Sequence, residues 1–534
     1  MTQIKNIPMV TSCSSTDTVV GDVGGVTKRI RVDAITGLPL ADLASTASGK
    51  GAALVGYLPA GTSAVGRTLR SRLNEIVDIT DYGAIGNAVA DCGPALQAAH
   101  DALPGVGGTI HIPACSAYYL FTTGVTFTKY VRLVFDGVSS TPFYTTTSGL
   151  VMISSSAKLD INNGHFLAYG AARTTAVFIK HLSTSAGHGN STIENCLFDG
   201  GVACYWSQRT NALQIRGNSF GPQAGSSLLL ENVINSDEGD SFITNNTFGA
   251  VAGVTSIQVL STAGLYISAN KFNGAADGHL LISNTTHNVG DNTITGNSFE
   301  GQTSYAINIV GTSGVSVKNL ITGNQFSSSS SNYIVLGIGA QFTTITGNTF
   351  NNTSSASGTG VLVQTSSKEI VITGNLFYNI LNGISCTVAQ NFGITMAGNR
   401  FADTVTYPFQ GDNGSEVVAI GSNREIPITR FFSESAGTLT AAYRFQGRAY
   451  TLEIIAYGTT QGVGNTAYHR KVAVFNDTTV ADINAAVNQG TALTVALNSV
   501  GGFLELQAAK SAGTYFTGYI EVYVRGQCSY IKKM

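Results

Sequence analysis

Apolar and polar residues alternate in a unit that recurs every 24 to 28 residues along the middle of the chain. Its most regular form is Ile-Thr-Gly-Asn-x-Phe, in which Ile and Thr alternate as in a half-buried strand. The Phe lies five positions after the Ile. In an unbroken strand this odd spacing would put their side chains on opposite faces, so the two residues can both point inward only if the backbone bends between them. We therefore expect a sharp bend at Gly-Asn, where left-handed backbone is best tolerated. The asparagines of this series are Asn218, Asn246, Asn270, Asn297, Asn324, Asn348, Asn375, Asn399 and Asn423.

A second short apolar strand follows ten or eleven residues after most of these asparagines, as at Leu228–Leu230, Ile257–Val259 and Ile307–Ile309. Several strands and corners in each unit, with no helical stretch between them, predict one coil of a parallel β-helix. Asparagines at one fixed position would then stack into an amide ladder. The sequence lacks the signatures of leucine-rich repeats and of WD propeller blades, so we predict an all-β solenoid.

The chain outside the repeat predicts three further segments. Two alternating runs around Gly24-Gly25 indicate a small hairpin, followed by a Gly-, Ala- and Ser-rich linker, and together these form a segment over residues 1–60. Apolar residues at helical spacing indicate a short helix within residues 61–77: Val65, Leu69, Leu73 and Ile76. This helix either lies on its own chain or forms a neck where several chains meet. Alternating strands with Gly-rich turns over residues 431–534 indicate a C-terminal β-sandwich.

Composition excludes several partners. Only 11% of the residues are charged and the net charge is −2, so the basic footprint of a nucleic-acid-binding protein is missing. No apolar run is long enough to insert into a membrane, and residues 1–13 do not resemble a signal peptide. The seven cysteines show no metal-ligand spacing, so we predict no metal and no cofactor.

Residues 78–120 carry a family resemblance. They include Asp81-Tyr82-Gly83-Ala84, Asp91, Ala95-Leu96-Gln97-Ala98-Ala99 and Gly107-Gly108-Thr109-Ile110-His111-Ile112-Pro113. This segment resembles the N-terminal part of pectate-lyase-like β-helix proteins, in which the helix at this place caps the open end of the solenoid. The chain departs from that pattern at Asn87-Ala88, where Asp-Gly is usual, and at Cys115, where Gly is common. The resemblance implies a right-handed parallel β-helix over residues 78–430.

The hairpin, the run Leu54-Val55-Gly56-Tyr57-Leu58-Pro59 and the β-helix together resemble the tailspikes of tailed bacteriophages. That resemblance implies a homotrimer in the virion tail, joined through residues 1–60 to the phage tail, its baseplate or another tail fibre. It also implies a protein that acts outside the host cell. There it would bind and cut bacterial surface polysaccharide such as capsule, O-antigen or exopolysaccharide.

The acidic residues indicate where cutting could occur. Hydrolysis of a glycosidic bond takes a proton donor and a second carboxylate that acts as nucleophile or base. Residues 191–300 hold nine acidic side chains, whereas residues 301–400 hold only Glu369. Asp237, Glu238 and Asp240 cluster in the coil with the longest repeat, so we predict that they are catalytic.

Asp291 is the fourth predicted catalytic residue. Six positions before successive asparagines, an outward column contains Asp240, Gly264 and Asp291, which puts the two acids two coils apart. About 9–10 Å would separate their backbones, close to the ~6.5–9.5 Å between the carboxyl groups of inverting hydrolases. The alternative is an ordinary solvated turn in which Asp291 pairs with Lys318.

Exposed aromatic and polar side chains are the natural candidates for sugar binding. Tyr205 and His279 fall in one outward column, and we expect these two residues and Arg216 to bind substrate. His279 could also carry a proton, although an inert surface histidine is the alternative. Trp206, the only tryptophan, falls in the inward column of Leu228, so we expect it in the core.

Three classes of function remain open. The first is a tailspike depolymerase that hydrolyses polysaccharide. The second is a lyase or esterase on the same scaffold, which would use His, Tyr, Lys or Arg near the acids. The third is a receptor-binding fibre without catalysis, which needs only exposed aromatic and polar groups.

Overall fold

The structure is a computed structural model with two compact units, Met1–Val77 and Asp78–Met534. It describes the following residues: 18–23, 26–31, 42, 45–50, 55–57, 65–73, 76–137, 142–182, 190–208, 212–231, 240–249, 253–274, 277–284, 289–311, 316–327, 331–352, 357–386, 394–402, 404–411, 419–421, 424–425, 430–431, 440–460, 464–475, 479–489, 493–500, 503–510 and 516–533.

The first unit contains the predicted hairpin. Its two strands, Thr18–Val23 and Val26–Arg31, run antiparallel, with Thr18 opposite Arg31 and Val23 opposite Val26. The two runs of alternating apolar and polar residues that flank Gly24-Gly25 therefore form the predicted pair of strands. The proposed role of residues 1–60 in attachment stays a prediction.

The predicted apolar stripe before the solenoid does not lie on one helix. Arg67–Thr68 form a short strand that pairs antiparallel with Gly56–Tyr57, and the helix that follows spans only Leu69–Leu73. Val65 precedes that strand and is 78% exposed, and Ile76 begins the strand Ile76–Asp78. The expected four-residue stripe is therefore wrong, and a neck between several chains stays a prediction.

A ten-residue helix, Gly93–Ala102, caps the first coil, and a 3-10 turn, Ile79–Tyr82, precedes it. The side-chain amide of Gln97 pairs with both backbone groups of Thr126, which lies in the first strand of a sheet. The Thr126 N–H donates to Gln97 Oε1 (2.8 Å), and Gln97 Nε2 donates to the Thr126 carbonyl (3.1 Å). An open sheet edge would leave these groups unpaired. The inward residues of the helix are buried, as the sequence predicted: Ala95, Leu96, Ala99 and Leu103.

Each coil of the solenoid contributes one strand to each of three parallel sheets, which we number 1 to 3 in chain order. In sheet 1 the strands are Ile76–Asp78 at the edge, then Gly108–Ile112, Val131–Phe135, Leu159–Asn162, Thr192–Glu194, Gln214–Arg216, Phe242–Thr244, Tyr266–Ser268, Thr293–Thr295, Leu320–Thr322, Thr344–Thr346, Val371–Thr373, Thr395–Ala397 and Ala419–Gly421.

Sheets 2 and 3 follow the same progression, one strand per coil. In sheet 2 the strands are Tyr119–Leu120, Pro142–Thr145, His165–Ala168, Leu197–Asp199, Ser219–Phe220, Thr247–Gly249, Lys271–Asn273, Ser298–Glu300, Gln325–Ser327, Thr349–Asn351, Leu376–Tyr378, Arg400–Phe401 and Arg424–Glu425. In sheet 3 the parallel strands are Val125–Phe127, Val151–Ser155, Val177–His181, Ala203–Ser207, Leu228–Glu231, Thr255–Leu260, Gly278–Asn284, Tyr305–Gly311, Asn332–Leu336, Thr359–Val363, Asn382–Cys386 and Tyr407–Gly411.

Two minor elements interrupt the three-sheet pattern. A 3-10 turn, Gly170–Thr174, lies between sheets 2 and 3 in an early coil. A small parallel sheet forms between sheets 3 and 1 from Val289–Gly290, Ser316–Val317 and Ala340–Gln341.

The predicted amide ladder runs through the corner between sheets 1 and 2. Asn297 Nδ2 donates to Asn324 Oδ1 (3.0 Å), and the Asn297 N–H donates to the same oxygen (3.0 Å). Asn324 repeats both bonds with Asn348, and the pattern joins the asparagines from Asn218 to Asn399. The residue before each ladder asparagine has a positive φ, for example 63° at Gly296. The bend at Gly-Asn is therefore confirmed.

The Phe of the repeat forms a continuous row inside the solenoid. Neighbouring rings are nearly parallel, with interplanar angles of 3° to 11°, and their centroids lie 4.7 to 5.2 Å apart. The ten rings belong to Phe166, Phe198, Phe220, Phe248, Phe272, Phe299, Phe326, Phe350, Phe377 and Phe401. All are buried, so each coil buries its apolar face mainly against the coils above and below.

After the last coil, the strands become antiparallel. They are Arg430–Phe431, Thr440–Thr460, Gly464–Phe475, Thr479–Gln489, Leu493–Val500, Phe503–Lys510 and Phe516–Lys533. The last of these pairs with Thr440–Thr460 and also with Tyr407–Gly411 of sheet 3. The predicted change to alternating antiparallel strands is thus present, and the two-layer sandwich stays a prediction.

Candidate functional site

The predicted acid column exists as a row of corners that lead into sheet 1. Strand register places Phe242 beside Tyr266 and Tyr266 beside Thr293, so Asp240, Gly264 and Asp291 occupy equivalent positions. Asp240 and Asp291 are both exposed, with φ of 59° and 55°. Later coils have a positive φ at the same corner with other residue types: Lys318, Phe342 and Glu369. The corner therefore fixes the backbone and leaves the side chain variable.

Asp291 has the neighbour that the alternative interpretation required. Lys318 Nζ lies 3.9 Å from Asp291 Oδ1, and more than half of each side chain is exposed. Such a pair contributes about 0–1 kcal/mol to stability, so it does not hold the carboxylate in one place. Asp237 and Glu238, the other two predicted catalytic residues, lie outside the described residues.

Arg216 lies on the outer face of sheet 1 and forms an ion pair with Glu194, one coil earlier. Asn162 Nδ2 donates to the other oxygen of that carboxylate (3.3 Å). In the register of the sheet, Arg216 is beside Thr244, two residues after Phe242. Phe242 and Tyr266 are exposed, and their ring centroids are 5.9 Å apart. Arg216 is exposed and its charge is paired with Glu194, and its role in substrate binding stays a prediction.

Tyr205 and Trp206 are oriented opposite to the prediction. Tyr205 pairs with Leu228 on the inward side and is only 1% exposed, and its hydroxyl lies 2.9 Å from His181 Nδ1. Trp206 pairs with Leu229 on the outward side and is partly exposed. In this coil the strand lies one residue nearer to the preceding corner, and a shift of one residue reverses every side chain. The predicted roles of Tyr205 as a surface platform and of Trp206 as core are therefore wrong.

His279 is buried, which contradicts its prediction as a surface residue. Its Nε2 lies 2.9 Å from the carbonyl oxygen of Glu300, and its ring packs against Phe272 and Phe299. Burial lowers the pKa of His279 to about 4. The ring is neutral at physiological pH and donates a hydrogen bond to the Glu300 carbonyl, so it acts as a core residue.

Trp206 is the centre of a group of three side chains on the outer face of sheet 3. Its Nε1–H donates to Glu231 Oε2 at 2.7 Å, from the strand of the next coil. Lys180, from the strand of the preceding coil, places its Nζ 3.8 Å from the centroid of the Trp206 ring. We call Lys180, Trp206 and Glu231 the Trp206 cluster. It joins an aromatic ring, a carboxylate and an ammonium group at a partly exposed surface.

The orientation of the Trp206 ring is fixed by both neighbours. The hydrogen bond to Glu231 holds the edge of the indole, and the ammonium of Lys180 lies over its electron-rich face, a contact worth about 0.5–2 kcal/mol. Glu231 uses one oxygen in this bond and no other described side chain pairs with it. The ring and the second carboxylate oxygen are therefore positioned before a ligand arrives.

Glu231 and Asp240 lie on the two sides of the segment 232–239. Glu231 ends a strand of sheet 3, and Asp240 stands two residues before Phe242, which begins the next strand of sheet 1. The predicted acids Asp237 and Glu238 belong to this connection. Glu231 of the Trp206 cluster is thus followed along the chain by three of the four predicted acids, Asp237, Glu238 and Asp240.

Lys180 and Glu231 were not predicted from the sequence as site residues, although each carries a signal. Both are charged residues that follow three apolar residues in a strand, Val-Phe-Ile-Lys-His and Leu-Leu-Leu-Glu. A charge in such a strand marks an outward position. Within the described part of the chain, no three His, Cys, Asp or Glu side chains could hold a metal ion, and no helix is long and apolar enough to cross a membrane.

Comparison with known proteins supports the fold. The family model "Right handed beta helix region" matches residues 232–401. The tailspike protein of E. coli bacteriophage HK620, solved in complex with pentasaccharide, is similar with a TM-score of 0.53 and 12% identity. That likeness covers 90% of this chain and 98% of the tailspike.

A second group of similar structures consists of enzymes. The A-module of Azotobacter vinelandii mannuronan C-5 epimerase AlgE6 matches with a TM-score of 0.53 and 17% identity, over 66% of this chain and all of the module. The AlgE4 A-module gives a TM-score of 0.51, also at 17% identity, over 64% of this chain and 99% of the module. No curated protein matches the sequence. At these identities the likeness is one of fold, and it shows that the chain contains a right-handed parallel β-helix.

Proposed function

We propose that the protein is a bacteriophage tailspike that binds bacterial surface polysaccharide and hydrolyses it on the outer face of the β-helix. The Trp206 cluster is the observation that carries this proposal, because sugar recognition combines an aromatic surface with hydrogen-bonding groups of fixed direction. Two likenesses add support: the fold extends over nearly all of the HK620 tailspike, which was solved with a pentasaccharide, and over modules of enzymes that act on mannuronan.

The proposed site extends from the Trp206 cluster to the acids that follow it. A sugar ring would pack on the exposed part of Trp206, and a hydroxyl would donate to the second oxygen of Glu231. Hydrolysis then needs two carboxyl groups, one as proton donor and one as nucleophile or base. Asp237, Glu238, Asp240 and Asp291 remain the proposed source of these groups, and Arg216 remains a proposed contact on the adjacent face.

Cleavage of purified polysaccharide tests the catalytic part. Capsule or O-antigen is incubated with the protein, and the fragments are analysed by mass spectrometry. Saturated fragments indicate hydrolysis. Asp240→Asn and Asp291→Asn should each lower turnover by at least ~10²-fold, the lower range for a general acid or base. Glu369→Gln is the matched control, since Glu369 occupies the same left-handed corner in a coil without neighbouring acids.

If both aspartate variants keep the turnover of the Glu369 control, the proposed catalytic pair is wrong. Fragments that lack the elements of one water would instead indicate a lyase. Binding without any fragment would indicate a receptor-binding fibre. In that case Trp206→Ala should still weaken binding, because the aromatic surface is needed without catalysis.

Assembly and location are part of the same proposal. We propose a homotrimer attached to the virion tail through residues 1–60, acting at the host cell surface. Light scattering of the purified protein should give three times the mass of the chain. A stable monomer at micromolar concentration would contradict the trimer while leaving the polysaccharide site untouched.

A further inference from the structure

Lys180 differs from neighbouring cations in what it contacts. Lys158, Arg173 and Arg216 each pair with a carboxylate, namely Asp160, Asp199 and Glu194. Lys180 makes no such pair with any described residue, and the ring of Trp206 is what its ammonium faces. An ammonium group has three N–H donors, and a ring face engages the charge without satisfying all of them. Lys180 therefore keeps hydrogen-bonding capacity at the surface of the proposed site.

The two opposite charges of the Trp206 cluster lie at different sides of the indole ring. The ammonium of Lys180 lies over one face of the indole, and the carboxylate of Glu231 lies at the N–H edge, 2.7 Å from Nε1. A ligand that packs beside the ring meets a positive group on one side and a negative group on the other. A carboxylate on that ligand would be attracted to Lys180 and repelled by Glu231, whereas a hydroxyl could donate to Glu231.

We infer that the Trp206 cluster selects a sugar that bears a carboxylate group. The sugar carboxylate binds Lys180, a sugar hydroxyl donates to Glu231, and the ring of Trp206 packs against the C–H groups between them. This inference rests on the proposed function and narrows it, because the polysaccharide would be acidic. The same contacts allow only one orientation of the sugar, since the reversed orientation would place its carboxylate beside that of Glu231.

The inference is tested by binding of acidic polysaccharides before and after chemical reduction of their carboxyl groups to alcohols. A panel of purified bacterial capsular polysaccharides, acidic and neutral, is titrated by calorimetry with the wild-type protein. The bound acidic member is then compared with its carboxyl-reduced form. We expect reduction to weaken binding at least about tenfold, since a hydrogen bond between charged groups is replaced by one to a neutral hydroxyl. Binding of the acidic form should also weaken as salt increases.

Variants assign the effect to Lys180. Lys180→Met should weaken binding of the acidic form about tenfold and leave the reduced form within about twofold, while Lys180→Arg keeps the charge and most of the affinity. Lys271→Met is the control, because Lys271 is an exposed cation on the outer face of sheet 2. It should bind both forms as the wild type does. Circular dichroism of each variant confirms that the solenoid is intact.

The outcomes separate the inference from the proposed function. Equal binding of the acidic and reduced forms, or equal losses in Lys180→Met and Lys271→Met, would overturn the acidic selectivity. Polysaccharide binding that is lost in Trp206→Ala would in that case still support the proposed site. Absence of binding to every polysaccharide in the panel, or binding that Trp206→Ala does not change, would overturn the proposed site and the inference together.

Discussion

Replacing Asn324 by alanine should open the middle of the solenoid locally. The side-chain oxygen of Asn324 accepts the N–H of Asn297 (3.0 Å), and its Nδ2 donates to the carbonyl of Ile294 (2.9 Å). Both bonds are buried. Asn297 Nδ2 also loses the Asn324 oxygen but keeps the Ile267 carbonyl, so the backbone N–H of Asn297 is the donor that is left without its partner.

The size of the effect follows from these bonds. A buried N–H without a partner costs about 1–3 kcal/mol, and the Ile294 carbonyl loses a bond worth about 1 kcal/mol. The sum of about 3 kcal/mol corresponds to roughly a hundredfold increase in the open population, since each 1.36 kcal/mol is a factor of ten. Because stability in a repeat array is partly local, the change should be largest in the coils that contact Asn324.

Hydrogen exchange followed by mass spectrometry measures this opening coil by coil. Peptides from residues 290–350 should exchange roughly a hundredfold faster in Asn324→Ala, and peptides from residues 108–135 should not change. Gln325→Ala is the control, because Gln325 is the next residue and its side chain is exposed. Equal protection in the two variants would refute the idea that the amide ladder stabilises the stack.

Three other outcomes are expected. Burial lowers the pKa of His279 to about 4, against an ordinary value of 6.5. The contribution of neutral His279 to the free energy of unfolding is therefore fully present above pH 6.5 and falls by about 3 kcal/mol as the pH drops towards 4. His279→Gln should flatten this pH dependence in thermal unfolding. Partial burial lowers the pKa of His111, but hydrogen bonds with Asp136 and Asp78 outweigh it and raise the pKa. Stability from His111 is therefore present below pH 6.5 and lost as the pH rises through the raised value, and His111→Gln should abolish that loss in the same assay. A protein that starts at Val65 should remain soluble and keep its glycan cleavage; aggregation would contradict a dispensable N-terminal segment.

The regular part of the fold could be predicted because the same residue types recur at the same positions in successive coils. Ile294, Asn297 and Phe299 each recur at fixed positions in neighbouring coils, and each has one physical role, as strand core, ladder amide and stacked ring. The pattern therefore gave the coil, its corner and its inward faces directly. The cap could also be anticipated, since an open first coil needs a partner such as Gln97.

The candidate site was harder to predict because it depends on departures from the repeat. Tyr205 and Trp206 lie in a coil whose third strand is shifted by one residue, so counting from the corner reversed them. His279 is polar in sequence but finds a buried carbonyl acceptor in a later strand, which no local pattern indicates. Asp240 and Asp291 were placed correctly as exposed corners, and their catalytic role stays a prediction.

The unbroken row of phenylalanines has a consequence for how such a chain can change over time. Each coil offers the next one the same ring and the same amide, so duplication or loss of one complete unit joins two surfaces that already match. A partial unit would break both rows and reverse the side chains beyond it. Recombination within the gene should therefore preserve folding only when it exchanges whole coils. The length of the solenoid can then evolve in steps of about 4.8 Å, the strand spacing, while the proposed sugar-binding surface stays intact.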